Sequence, residues 1–209
     1  MKILYLDTSS SFLYTALVAD DKLLFQIKEN LGKDMSKYVL SKIEKEFNRL
    51  KISPEVVEKI ILVSGPGSFT GIRIGATIAK IIAWTKNIPI ITISSLEAMA
   101  VSCIEKSKYY VPLIDARRGF IFAEIFDENY NSVLEAQYIN LNELVNYMRK
   151  LSDDVTYITN DSLEIEHVLY NPDILKIVNF FKKKNPTNPH LVDALYLKAT
   201  EAEEKKNDY

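Results

Sequence analysis

The sequence predicts an α/β fold, because short apolar strands alternate with helical segments along the chain. Five strands are predicted in the first half, over residues 2–6, 12–18, 22–28, 60–63 and 89–93. Helices beginning near Asp34, Gly71 and Ser94 alternate with the later strands. The chain has 209 residues, of which 47% are hydrophobic, and this suits one domain or two small lobes that share a core.

Each element of the first half follows from local chemistry. The strand over 2–6 is a continuous apolar run that ends at Asp7, and a turn at Asp20-Asp21 joins the next two strands. Asp34 can cap a helix whose apolar residues recur at helical spacing, namely Val39, Leu40, Ile43, Phe47 and Leu50. Ser53-Pro54 opens a short helical segment before the strand over 60–63.

The later elements are predicted in the same way. A helix runs from Gly71 to Lys86, and Ser94-Ser95 caps another that extends to about Lys106. After that point, strands are predicted over 109–114, 120–126 and 133–139, and helices over 141–151, 161–184 and 191–205. The order of strands and helices therefore changes after residue 106. This change predicts two lobes, the first formed by residues 1–106 with 189–209 and the second by 107–188.

Composition and charge exclude several classes of protein. The formal net charge of −2 excludes a strongly basic nucleic-acid binder, and a single cysteine, Cys103, excludes an intrachain disulfide. Lys80 and Lys86 interrupt the most apolar stretch, so no membrane span is predicted. We therefore expect a cytoplasmic protein that makes no contact with membranes.

The most unusual stretch is the glycine-rich segment over residues 65–75, GPGSFTGIRIG. It follows an apolar strand and opens a helix, a context in which backbone N–H groups can bind an anion. It lacks the Gly-Lys-Ser/Thr ending of a P-loop. The alternative is a tight turn in which glycines permit close packing, and the residues alone favour that alternative.

The helix that follows this segment is apolar on nearly all sides. Gly71, Gly75, Ala79 and Ala83 form a stripe of small residues at intervals of four. Ile74, Ile78, Ile81 and Ile82 occupy much of the remaining surface. Such a helix must be buried, either by its own fold or by a partner protein, and both alternatives remain open.

Other candidate residues point to no assembled catalytic site. Asp7 ends the first strand, where it either contacts a phosphate or metal or simply begins a turn. Arg117 and Arg118 either bind an anion or form an exposed turn. The two histidines, His167 and His190, are 23 positions apart and show no metal-binding spacing.

The segment GPGSFTGIRIG resembles the signature of the bacterial TsaB family, also called YeaZ. Further similar segments occur in the same order, namely ILYLDTS at 3–9, ISSLEAMA at 93–100, LIDARRGFIF at 113–122 and ALYLKATEAEEKK at 194–206. The resemblance covers nearly the whole chain and is weakest over 130–188. One departure is Met35-Ser36-Lys37, where many family members carry a segment like His-Ser-Glu.

The resemblance implies an actin-like (ASKHA, ribonuclease H-like) fold with a reduced second lobe. It further implies a non-catalytic dimerisation subunit that binds TsaD and works with the ATPase TsaE. That complex attaches threonylcarbamoyl to adenosine 37 of tRNAs reading codons that begin with A. The chain is expected to form a homodimer when alone, to meet tRNA only through the complex and to need no cofactor.

The resemblance also implies which residues bind the partner. They lie on the helices over 36–50 and 71–86, and they are Ser36, Val39, Leu40, Ile43, Phe47, Gly71, Ile74, Gly75, Ile78, Ala79, Ile82 and Ala83. The stripe of small residues was the feature expected to form the contact. In TsaD-type enzymes, two histidines four residues apart bind a metal, and Ser95 and Met99 stand at those positions here.

Two enzymatic hypotheses compete with the partner-subunit hypothesis. An actin-like, ATP-dependent small-molecule kinase would use Asp7 as its carboxylate and residues 65–71 as its phosphate loop. Against it, the chain has no glycine after Gly119 with which to admit adenosine. A peptidase is the third hypothesis, and no nucleophile or metal motif in the sequence supports it.

Overall fold

A computed structural model describes residues 1–197, which form two five-stranded mixed sheets and five α-helices. The first half of the chain contains β1 (Lys2–Asp7), β2 (Phe12–Ala19), β3 (Lys22–Asn30), α1 (Met35–Leu50), β4 (Lys59–Val63), α2 (Phe69–Lys86), β5 (Ile90–Ile93) and α3 (Ser95–Ser102). The second half contains β6 (Tyr109–Asp115), β7 (Phe120–Asp127), β8 (Ser132–Asn140), α4 (Leu141–Leu151), β9 (Val155–Thr159), β10 (Val168–Leu169) and α5 (Ile174–Phe181).

The first sheet has the strand order β3-β2-β1-β4-β5, with β1 antiparallel to β2 and parallel to β4. Its central strands are continuous apolar runs because helices cover both faces. Helices α1 and α2 pack on the face that carries Leu4, Leu6 and Leu62. Helices α3 and α5 pack on the opposite face, which carries Tyr5 and Ile61.

The second sheet has the order β10-β9-β6-β7-β8. Helix α4 covers one face, where Leu144 and Met148 meet Val111 and Ile121. The other face contacts α3, whose Met99 packs in one cluster with residues of the second sheet. Because α3 contacts both sheets, it joins the two lobes into one structure.

The predicted helix over 161–184 is mostly wrong. Only Ile174–Phe181 is α-helical, and it begins where the side chain of Asp173 caps the backbone N–H of Lys176. Leu163 and Ile165 alternate toward the core under α4, a spacing of two that does not suit a helix. The strand β9 was not among the predicted elements, although its residues Val155–Thr159 are mostly β-branched or aromatic.

Three further boundaries differ from the predictions. Helix α3 ends at Ser102 because Cys103 is extended, well short of Lys106. Asp34 does occupy the N-cap position of α1, yet its side chain makes no capping hydrogen bond there. The final helix predicted over 191–205 is absent from residues 192–197, and the rest of it lies outside the described residues.

The packing of α5 bears on the division into lobes. This helix lies within residues 107–188, which the sequence analysis assigned to the second lobe, but Ile177 and Val178 pack against the first sheet. A division by packing would place α5 with the first lobe. The exact boundaries at residues 106 and 189 therefore stay a proposal.

Candidate functional site

The glycine-rich segment is a strand-to-helix turn whose backbone is held by neighbouring segments. The N–H of Ser68 donates to the carbonyl of Ser9 at 2.7 Å, and the hydroxyl of Thr8 donates to the carbonyl of Gly71 at 2.7 Å. The Ser68 side chain accepts from the Gly71 N–H and caps α2. These bonds support the tight-turn interpretation over a phosphate loop.

The stripe of small residues on α2 lies inside the chain. A Cβ on Gly71 would collide with the backbone carbonyl of Thr8, and one on Gly75 would collide with the Thr8 hydroxyl. Ala79 and Ala83, at 0% and 1% exposed, continue the same buried face. The expectation that this stripe forms the contact with a partner is therefore corrected: it lets α2 approach β1 and β4 closely.

Burial divides the twelve predicted partner-binding residues into two groups. Those buried within the chain are Val39, Ile43, Phe47, Gly71, Gly75, Ile78, Ala79 and Ala83. Those that remain partly or fully exposed are Ser36, Leu40, Ile74 and Ile82. The periodicity of α1 and α2 identified two packed helices, but it could not tell which face of the apolar α2 meets its own sheet.

The outward side of α1 and α2 carries an apolar surface. Between the helices lies a groove of about 460 Å³, whose lining includes Ser36, Leu40, Phe69, Ile74 and Thr77. Leu40 is 57% exposed, and farther along α2 the side chains of Ile81 and Trp84 are 55% and 70% exposed. We call the residues Ser36, Leu40, Phe69, Arg73, Ile74, Thr77, Ile81 and Trp84 the outer helical face.

Five members of the outer helical face are absent from the predicted binding set, namely Phe69, Arg73, Thr77, Ile81 and Trp84. A signal was present for three of them, because Ile74, Thr77, Ile81 and Trp84 recur at intervals of three and four. A helix that is apolar on all sides carries two such stripes. The bulkier stripe faces outward here, because only the small residues fit against the strands.

A cleft of about 610 Å³ separates the two lobes. Asp7, Ser68 and Ser95 line it from the first lobe, whereas Asp115, Arg117 and Asp161 line it from the second. Three carboxyl groups and one guanidinium thus line this space. The cleft is rich in acidic groups and is a poor place for a ligand with several phosphates.

Asp7 lies at the floor of the cleft and is 2% exposed. Burial raises its pKa to about 6, although the hydroxyl and the backbone N–H of Ser9 both donate to its Oδ1 and act in the opposite direction. The buried hydroxyls of Tyr5 and Tyr170 lie close to Asp7 and to each other, but within residues 1–197 neither meets the geometry of a hydrogen bond. Burial raises the pKa of both phenols well above the usual value.

The two residues at the metal-ligand positions of TsaD-type enzymes have structural roles here. The Ser95 hydroxyl donates to the carbonyl of Pro66, and Met99 is packed in the core between the lobes. Within residues 1–197, no three His, Cys, Asp or Glu side chains are grouped so that they could hold a metal ion. The Nδ1 atom of His167 lies 2.7 Å from the carbonyl oxygen of Ile165, two residues earlier in the chain. The ring of His190 packs edge-on against that of Trp84.

The segment over residues 115–119 forms the tip of the β6–β7 hairpin at the mouth of the cleft. Arg117 and Arg118 both have positive φ, at 69° and 57°, and both are exposed. The Asp115 carboxylate accepts from the backbone N–H of Arg117 at 2.8 Å. This segment therefore forms an exposed turn, and its exposure is compatible with either interpretation of the two arginines.

Two mixed sheets joined through α3, with a cleft between them, define a two-lobed α/β protein of the actin-like ASKHA class. The family model described as "TsaD: tRNA N6-adenosine threonylcarbamoyltransferase" matches residues 29–179. The chain is 31% identical to the tRNA threonylcarbamoyladenosine biosynthesis protein TsaB of Bacillus subtilis, across 98% of this chain and 97% of that protein. It belongs to the TsaB family.

Further comparisons agree with this assignment. The TsaB protein of Haemophilus influenzae is 32% identical over 63% of this chain and 57% of its own length. Among solved structures, YeaZ from Pseudomonas aeruginosa superposes with a TM-score of 0.72 at 16% identity, covering 94% of this chain and 99% of that one. A likeness at this identity shows the fold. No helix within residues 1–197 is both long and apolar enough to cross a membrane.

Proposed function

We propose that this chain is a non-catalytic dimerisation subunit for synthesis of threonylcarbamoyladenosine in tRNA. It would bind a TsaD subunit, work with TsaE and contact tRNA only through that complex, with TsaD modifying adenosine 37 of tRNAs that read ANN codons. The observation that carries the proposal is the outer helical face, a run of exposed apolar side chains on two packed helices. Membership of the TsaB family supports the pathway, because its relatives are named for biosynthesis of this nucleoside.

The chemistry of the outer helical face suits a helical partner. Leu40, Ile81 and Trp84 expose more than half of their surface, which is costly in water unless a second apolar surface covers them. Aromatic residues and arginine are enriched at protein interfaces, and Phe69 and Arg73 lie at one end of this face. A second copy of the chain would cover the same face when TsaD is absent.

The predicted binding residues enter this proposal in two roles. Ser36, Leu40, Ile74 and Ile82 would contact the partner directly, since they keep exposed surface. The buried members, such as Val39, Ile78 and Ala79, would support that surface from beneath by fixing α1 and α2 against the sheet. Replacing a buried member would damage this chain's own fold before it changed an interface.

Absence of catalysis forms part of the proposal. The cleft carries Asp7, Asp115 and Asp161 against Arg117, so a nucleoside triphosphate would meet excess negative charge there. Several of the polar backbone groups of the glycine-rich segment already bond within the chain. These features favour a partner subunit over an ATP-dependent small-molecule kinase. Calorimetry with ATP should give no saturable heat, whereas ATP binding lost on Asp7→Ala would favour the kinase.

The interface is tested by single substitutions that leave the fold intact. Leu40→Glu and Trp84→Glu each place a charge on the outer helical face, and Ile104→Glu is the control, since Ile104 is 85% exposed outside this face. In calorimetric titrations with TsaD from the same organism, we expect the first two variants to weaken binding at least tenfold. The control should bind as tightly as the unmodified chain. Equal affinities for all four proteins would rule out this face as the docking surface.

A further inference from the structure

The tip of the β6–β7 hairpin presents two cations on a rigid turn that the proposed function does not use. Arg117 and Arg118 occupy the left-handed region in succession, at φ values of 69° and 57°, which is uncommon for residues other than glycine and asparagine. The turn is held from within, because Phe120 N–H donates to the Arg117 carbonyl at 3.1 Å. Both arginines are exposed, and Arg117 lines the cleft.

Three aromatic rings lie beside this tip on one face of the second sheet. Phe120 and Tyr138 are stacked, with ring centroids 4.7 Å apart and planes inclined by 10°. The Phe122 ring lies 5.8 Å from that of Tyr138, its partner in the β7–β8 register. All three rings are only partly buried, and Phe122 also lines the cleft. Flat, partly exposed rings on a sheet are a surface on which planar ligands can stack.

The charges around the tip restrict where an anion could lie. The Asp115 N–H donates to Asp161 Oδ2 at 2.7 Å, and Asp115 Oδ1 in turn accepts from the Arg117 N–H. Both carboxylates thus accept hydrogen bonds from the backbone of the turn, whereas Arg117 and Arg118 are exposed. A phosphate would be repelled from the interior of the cleft and attracted to its rim.

We propose that Arg117, Arg118, Phe120, Phe122 and Tyr138 form a binding surface for single-stranded RNA. Bases would stack on the ring faces that stay accessible, and phosphates would pair with the two guanidinium groups along the rim. Arginine beside aromatic rings suits this ligand because every base has a π-face and every linkage carries one negative charge. The surface lies on the second lobe, apart from the outer helical face, and it goes beyond the proposed function by giving the chain a direct contact with RNA in addition to the one made through the complex.

The experiment measures fluorescence anisotropy of a labelled ten-nucleotide oligouridylate as the unmodified chain is added, over a series of salt concentrations. We expect saturable binding that is tighter than binding of an RNA duplex of equal length. The double variant Arg117→Asn with Arg118→Gly removes both cations and introduces two residues that readily adopt a left-handed turn. It should bind at least tenfold more weakly and reduce the slope of log affinity against log salt by about 1.4, since each phosphate contributes about 0.7 for a single strand.

Two further variants separate stacking from charge. Phe120→Leu retains an apolar side chain but removes the ring, and it should weaken binding about tenfold with no change in the salt slope. The pair Lys33→Gln and Lys37→Gln removes the same charge from the first lobe and should leave binding unchanged. Circular dichroism checks that each variant is folded.

The proposal is overturned by any of three results. These results are no saturable anisotropy change with the unmodified chain, a control pair that weakens binding as much as the arginine variant does, and a duplex that binds as tightly as the single strand. Loss of affinity for TsaD in the arginine variant, without RNA binding by the unmodified chain, would instead assign the surface to a protein partner.

Discussion

At the scale of single residues, Asp7 shows that the role and the pKa of an aspartate depend on its surroundings in the fold. Its sequence context allowed either a phosphate-binding carboxylate or a turn residue. The structure gives it a local role, because both the N–H and the hydroxyl of Ser9 donate to one of its oxygens. Nearly complete burial then raises its pKa to about 6. Because burial depends on the tertiary structure, this shift could not be predicted from the sequence.

This raised pKa makes stability depend on pH. The folded chain holds the Asp7 proton up to about pH 6, whereas an unfolded chain releases it near 3.9. The contribution of Asp7 to stability is therefore fully present below about pH 4 and is lost as the pH rises through 6. Asp7→Asn, which keeps an oxygen for Ser9, should equal the unmodified chain at pH 4 and exceed it at pH 7.5 by up to about 3 kcal/mol.

Urea unfolding at the two pH values measures this difference. Asp153→Asn is the control, because Asp153 is exposed and its replacement should give the same small change at both values. If Asp7→Asn and the unmodified chain differed by the same free energy at pH 4 and 7.5, the buried carboxyl would not have a raised pKa.

Gly71 carries a second prediction at this scale. A Cβ there would collide with the Thr8 carbonyl oxygen, a backbone atom in a buried turn that cannot move aside easily. Gly71→Ala should therefore lower the free energy of unfolding by about 2–3 kcal/mol, a typical effect of overpacking. Thr77→Ala, on the exposed side of the same helix, should change it by less than about 0.5 kcal/mol. Equal unfolding midpoints in urea would contradict the close approach of α2 to β1.

At the scale of elements, α2 marks the limit of reasoning from sequence. Its length and apolar character were predictable, since the segment from Gly71 to Lys86 lacks a polar face. Its orientation was not, because either stripe could have faced the sheet. The stripe of small residues faces the sheet because only small side chains fit against the backbone of Thr8. Thr8 is more than sixty positions away in the sequence, so this contact could not be predicted from α2 alone.

The segment after β10 shows a different limit. The helix predicted over 161–184 forms only in its last part, because Pro172 and the capping Asp173 precede α5. The strand β9 could have been predicted from its β-branched and aromatic residues, so this omission was avoidable. The pairing of β9 with β6 joins residues far apart in sequence and could not.

The chain after α5 is held to the first lobe by a small set of contacts. Tyr196 accepts a hydrogen bond from Arg73 Nε at 2.6 Å, and the Arg73 guanidinium stacks 3.8 Å above the Phe69 ring. The Leu195 N–H donates to the carbonyl of Ser64 at 2.8 Å. These contacts hold Leu195 and Tyr196 against the start of α2, and we call these two residues the strap.

Tyr196→Ala should loosen this strap without unfolding the domain. Removing the ring and its hydroxyl leaves Leu195 held by fewer neighbours, so its amide should exchange with solvent about tenfold faster. The global free energy of unfolding should fall by no more than about 1 kcal/mol. Hydrogen exchange followed by mass spectrometry measures the first quantity, with Tyr147→Ala on α4 as the control. Unchanged protection of Leu195 would show that the Arg73 contacts do not hold the strap.

At the scale of the whole molecule, two sheets share the helix α3, and the surfaces of this assembly differ in character. The cleft is acidic and carries a buried carboxyl, whereas the outer helical face is apolar and exposed. The resemblance of residues 65–75 to the TsaB signature predicted the actin-like fold, which the comparisons confirm. The signature did not show which residues of α1 and α2 are buried. The surface available to a partner could therefore be identified only from the structure.

The central claim, that this chain acts by pairing with a TsaD subunit, is tested most directly by size-exclusion chromatography with light scattering. The chain is measured alone, and then mixed with TsaD from the same organism. We predict a homodimer alone that exchanges into a one-to-one heterodimer on mixing, with Leu40→Glu monomeric and unable to exchange. A chain that remains a monomer in both samples and whose elution is unchanged by TsaD would contradict the claim.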